Sequence, residues 1–165
     1  MTSLTLETLR LYGLWIQSGA IVFSAIGVIV TVNRNKRIAC RRATLDIVLK
    51  EQTDPEIVAQ RTDFVKLRDA GHLSKWAGPD QTHSDEASVI RSILNRYELV
   101  AIGIKEGTID EQSYKRWCRT TLVKDWIECK ALVVQLRKNA SIATYYIELE
   151  KLAKRWATKN ERKHT

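Results

Sequence analysis

The chain has 165 residues, with 27 Lys and Arg against 19 Asp and Glu and a formal charge of +8. That charge is not spread over the chain: residues 1–32 are neutral overall, 33–42 carry +5, 43–150 carry −2 and 151–165 carry +5. Basicity confined to two edges argues against nucleic acid as a partner, since a nucleic-acid module spreads Lys and Arg over a face of its folded part.

The first element explains the first basic edge. Leu11 to Val32 is an apolar run without an ionisable side chain, followed at once by Arg34, Lys36, Arg37, Arg41 and Arg42. Twenty-two helical residues at about 1.5 Å each span about 33 Å, enough for a hydrocarbon core of about 30 Å. A transmembrane helix is therefore expected over 11–32, with a short extracytoplasmic segment at 1–10 and a basic helical extension over 33–52. A cleaved signal peptide would place its positive charge before a shorter apolar core, and here Met1 to Arg10 holds only Glu7 and Arg10. Lys and Arg are retained on the cytoplasmic side of a span, so the expected topology is amino terminus out and carboxyl terminus in the cytoplasm, in a bacterial inner membrane. Tyr12 and Trp15 suit the outer headgroup layer. The five basic residues are expected to contact anionic lipid, at about 1 kcal/mol each near the surface.

Gly13, Ala20, Ser24, Gly27 and Thr31 recur at helical spacing within the span. Small residues on one face let a second helix approach closely, which points to self-association or to another membrane protein. Small residues are also common in membrane helices generally, and both readings stand.

Residues 53–165 are expected to form one helical bundle, making the fold all-α. Thr53-Asp54-Pro55 reads as a cap with proline at a helix start, opening a helix to about Ala70 that Gly71 stops. Gly71 to His83, with Trp76, Gly78 and Pro79, reads as the least regular stretch. Ser84 caps a third helix whose apolar positions Ile90, Ile93, Leu94, Tyr97, Ala101 and Ile104 fall at steps of three and four before Gly107. Asp110 caps a fourth with Tyr114, Trp117, Cys118, Leu122 and Trp126, which either continues or bends before Leu132. A final helix places Tyr145, Leu149, Leu152 and Trp156 on one side. Tyr97, Trp117, Leu149 and Trp156 are the expected core.

The third and fourth helices carry a recognisable text: residues 93–104, Ile93-Leu94-Asn95-Arg96-Tyr97-Glu98 onward, then Gly107, Ile109-Asp110-Glu111, Tyr114, Arg116-Trp117 and Lys124-Asp125-Trp126. With Leu149 to Trp156 at the end, nearly the whole chain resembles domain of unknown function 4760, a bacterial and phage family. The resemblance implies an amino-terminal membrane helix, a basic juxtamembrane stretch and a helical cytoplasmic domain. It supplies no activity and no catalytic residue.

Chemistry has to be sought in the residues themselves. Cys40, Cys118 and Cys129 lack CxxC spacing and His72, His83 and His164 are not paired on a helix, so no metal or cofactor site is encoded. No Gly-rich phosphate loop or nucleophile elbow occurs. Arg68 and His72 imitate a helical ribonuclease pair, but the spacing is one residue short and Gly71 should break the helix between them. The remaining candidates are polar residues within apolar helices: Asn95, Glu98, Arg116, Arg119 and Asp125. An acid and arginines facing across two helices either bind a ligand or form an interhelical ion pair that sets register, and the ion pair is the preferred reading. Trp76, in the loop, is the expected partner contact. The favoured function is a membrane-anchored adaptor or regulator that binds proteins. A tethered enzyme with an unconventional site near Glu98 and Arg119, and a membrane-permeabilising oligomer, are the alternatives.

Overall fold

The computed structural model describes residues 3–81 and 83–165. Met1 and Thr2 of the expected extracytoplasmic segment, and Thr82 of the loop, lie outside the described residues. Five α-helices and three 3₁₀ turns make up the described chain, with no strand among them: α1 (Ser3–Thr53), α2 (Pro55–Asp69), α3 (Asp85–Lys105), α4 (Glu111–Ala140) and α5 (Ile147–Trp156), with the turns at Leu73–Ala77, Pro79–Gln81 and Glu161–Lys163. The helix begins before Leu11, so residues 3–10 belong to it. The chain divides into two units, Met1–Ala39 and Cys40–Thr165.

The first unit is helix alone. Its apolar side chains have no cover: Trp15 is 76% exposed and Phe23 78%. The stretch from Trp15 contains an 18-residue window of mean hydropathy 1.9, none of it buried, the one helix among the described residues long and apolar enough to cross a membrane. The Thr31 hydroxyl donates to Gly27 O at 2.8 Å, so this polar group is satisfied within its own helix. Around Gly13 and Gly27 nothing lies within 4 Å of an added Cβ.

In the second unit the end of α1 is docked by polar contacts. Thr44 is buried. Its hydroxyl donates to Cys40 O at 2.7 Å and accepts from the Asp110 N–H at 2.8 Å, while the Cys40 thiol donates to Gly107 O at 2.9 Å. Helix starts follow side-chain caps. Asp54 accepts from Glu56 N at 3.0 Å, Ser84 from Ala87 N at 3.1 Å and Asp110 from Ser113 N at 2.9 Å, each satisfying a donor that the first turn leaves without a partner.

The core joins Phe64 of α2, Leu73 and Ala77 of the first turn, the Ile90–Ile104 stripe of α3, Tyr114, Leu122, Trp126, Leu132 and Val133 of α4, and Leu149, Leu152 and Trp156 of α5. α4 continues past Leu132 as one helix, and Glu111–Ala140 contains neither glycine nor proline to break it. Gly103 has a packing reason: a Cβ there would come within 2.5 Å of Ile109 Cδ1, so the turn between α3 and α4 folds flat against α3.

One expected core position, Trp117, differs, and so does Tyr145, expected on the apolar side of the last helix. Trp117 is 48% exposed. At about 100° per residue it falls roughly 100° from the middle of the stripe formed by Tyr114, Cys118, Leu122, Asp125 and Cys129. Tyr145 is exposed as well and its neighbour Tyr146 is buried, because Tyr146 adopts φ 55° just before α5 and the left-handed turn swaps the two rings.

Candidate functional site

Asp125 is the centre of the polar interior. It is 0% exposed, midway along α4 and on its core face. Arg61 Nη1 donates to Asp125 Oδ2 at 2.6 Å, Arg68 Nη1 to Oδ1 at 2.7 Å and the Tyr97 hydroxyl to Oδ2 at 2.8 Å. Arg61 and Arg68 are seven residues apart on α2, two helical turns, so both stand on the face that buries Phe64. The Arg61 guanidinium lies 5.2 Å from the Phe64 ring centroid. Three helices are thus tied through one carboxylate. Burial pushes the Tyr97 hydroxyl well above its ordinary value, helped by the Asp125 charge, so it remains a donor.

Arg61 also borders a cleft of about 280 Å³. Its walls are Glu51 and Gln52 from α1, Ile57 and Arg61 from α2, Ile93, Arg96 and Tyr97 from α3, and Trp117, Cys118 and Thr121 from α4. Glu51 accepts from the Tyr114 hydroxyl at 3.2 Å. Burial raises its carboxyl above the ordinary 4.5, opposed by that hydrogen bond, by the charges of Arg96 and Arg61 and by the Trp117 indole. Burial also pushes the Cys118 thiol up to about 11, which leaves it protonated at neutral pH and a poor nucleophile. Among the described residues no three His, Cys, Asp or Glu side chains converge as metal ligands.

The five polar residues singled out from the sequence do not form one cluster. Glu98 accepts the backbone N–H groups of Glu148 and Leu149, at 3.2 and 2.6 Å. It caps α5, which has no side-chain cap of its own. Arg119 serves the other end of α5: its Nε donates to Trp156 O at 3.2 Å and its guanidinium pairs with Glu161. A carboxylate at the amino end and a guanidinium at the carboxyl end both complement the helix dipole. The expected Glu98–Arg119 contact is absent, because α5, about 15 Å of helix, lies between the two jobs. Arg116 and Asn95 are exposed, and Asn95 borders a separate groove with Arg91, Tyr145 and Tyr146.

Trp76 packs partly buried against the core, with Lys75 Nζ 4.7 Å from its ring centroid. Arg34, Lys36, Arg37, Arg41 and Arg42 are all exposed. Gly71, at φ 77°, ends α2 before His72, and Arg68 is occupied by Asp125 and Asp69. Sequence reasoning passed over Arg61, Glu51 and Arg96, and weighed Arg68 only beside His72. The available signal was Arg61 and Arg68 on the same stripe as Phe64, an arrangement that requires a buried acid opposite.

The separation of Glu98 from Arg119 has a measurable consequence. Glu98→Ala leaves two backbone donors without an acceptor and should cost about 1–2 kcal/mol. Arg119→Ala should cost less, and the double mutant should equal the sum within about 0.5 kcal/mol, read from urea unfolding in micelles. A double mutant clearly milder than the sum would show that the two side chains interact after all.

One apolar helix uncovered in its first unit, followed by a helical unit whose polar interior ties its helices together, defines the class: a helical domain carried on a candidate membrane span. The chain belongs to the family described as Domain of unknown function (DUF4760), matched over residues 14–156. No curated protein and no solved structure matches it.

Proposed function

We propose that the protein is a single-pass protein of the bacterial inner membrane whose Cys40–Thr165 unit recognises protein partners at the cytoplasmic face, as an adaptor or regulator. The observation that carries the reading is the uncovered apolar helix ending at five exposed basic residues. Water does not tolerate a continuous apolar surface of that size on a monomer, a bilayer does, and the charge asymmetry sets its direction. Anionic lipid complements Arg34, Lys36, Arg37, Arg41 and Arg42. The open face at Gly13, Ala20, Ser24, Gly27 and Thr31 suits a second membrane helix, from another copy or another protein. Recognition is favoured over catalysis because Glu98, Arg119 and Asp125 each hold helices in place and Cys118 is held as a thiol.

The test is topology. A reporter that matures only in the cytoplasm, fused after Thr165, should be active, and a cysteine placed near Thr5 should react with an impermeant reagent from outside. Recovery of the full chain in the soluble fraction without detergent would overturn the reading.

A further inference from the structure

Glu51 and Arg96 carry opposite charges on the walls of one cleft, yet no ion pair joins either to another described residue. Each is held by a neutral partner: Glu51 accepts from the Tyr114 hydroxyl at 3.2 Å, and Arg96 Nη2 donates to Gln60 Oε1 at 3.3 Å. The Arg96 charge is nevertheless felt at Glu51. Both side chains line the same cavity of about 280 Å³, and no ion pair joins one to the other. Arg61 differs, since Asp125 already neutralises it. The cleft therefore offers one negative end and one positive end that the protein does not join.

A complementary ligand carries the reverse pair. Its anion meets a guanidinium, which grips a carboxylate with two parallel hydrogen bonds. Its cation meets Glu51 beside Trp117, which lines the same wall. Between them, Ile57 and Ile93 supply apolar wall. The volume is at the small end of ligand pockets, about 300–1,000 Å³, which excludes a dinucleotide or a folded peptide. We propose that this cleft binds a free α-amino acid with an apolar side chain, its carboxylate on Arg96, its ammonium on Glu51 and its side chain against Ile57, Ile93 and Trp117. Such a ligand ties the end of α1 to α3 and gives the unit a metabolite input. The site stands independently of the membrane reading, because every residue in it belongs to the Cys40–Thr165 unit.

The experiment is calorimetric titration of the full chain in detergent micelles with leucine and phenylalanine, and with two half-ligands of leucine: 4-methylpentanoate, which lacks the amine, and 3-methylbutylamine, which lacks the carboxylate. The expected result is saturable binding of at least one amino acid at millimolar concentration or below, and binding at least about tenfold weaker for both half-ligands. Glu51→Gln and Arg96→Gln should each weaken the amino acid about tenfold, and Arg96→Lys should restore part of that loss. Circular dichroism reports whether each variant is folded, and the half-ligand comparison decides the matter on the natural chain if one is not. Absence of binding by both amino acids, half-ligands as tight as the parent, or folded Gln variants that bind like the natural chain would each overturn the proposal.

Discussion

Replacing Asp125 with alanine should destabilise the Cys40–Thr165 unit by about 3–5 kcal/mol, the range for removing one partner of a buried ion pair. The size follows from what is left behind. Asp125 accepts from Arg61, Arg68 and Tyr97, and its loss leaves the buried Tyr97 hydroxyl and the Arg61 guanidinium without their carboxylate and the largely buried Arg68 with Asp69 alone. Against an ordinary domain stability of about 5–15 kcal/mol, this brings the fold close to its limit. Arg68→Ala should cost less, because Arg61 and Tyr97 remain on the carboxylate. Asp63→Ala is the matched control. Its pair with Lys66 is solvent-exposed on both sides, and such pairs are worth about 0–1 kcal/mol. Urea midpoints at an unchanged slope would report these differences. A loss below about 1 kcal/mol for Asp125→Ala would mean that water reaches the arginines and that the network is not a tie between helices.

The network also shows where the sequence stops being legible. Asp54, Ser84 and Asp110 could be read as caps because a cap and its target lie within three residues, and all three cap as expected. The period of α3 was legible for the same reason. Arg61 and Asp125 are 64 residues apart, and no local rule pairs them. What the sequence did contain was arginines on the apolar stripe of α2, and in a polar-looking helix these are easily taken for a solvated face. Glu98 shows a second limit. Its position inside an apolar helix marked it as important, but its partners are two backbone N–H groups of another helix, which have no sequence signature. The long apolar helix, by contrast, needed only length and composition. Tyr145 and Tyr146 exchanged places because a single residue at φ 55° precedes α5, and a left-handed non-glycine residue is uncommon enough that periodicity alone never anticipates it.

Two tryptophans on adjoining helices separate packing from pattern. Trp156→Ala should cost about 3–5 kcal/mol, as truncating a large core aromatic does. Trp156 is 3% exposed, its indole donates to Glu111 Oε1 at 2.7 Å, and the Tyr114 ring lies 6.5 Å away between centroids. Its removal opens a cavity where α4 and α5 meet and loosens the carbonyl that holds Arg119. Trp117→Ala should cost about 1 kcal/mol or less, although both residues follow the same apolar spacing, because the Trp117 ring is half in solvent and touches no layer of the core on its outer side. Trp156→Phe discriminates further. It keeps most of the volume and loses the donor, so it should fall between the natural chain and alanine. Equal losses for the two alanine variants would place Trp117 in the packed interior and would make the cleft it borders a closed part of the core, with no room for a ligand.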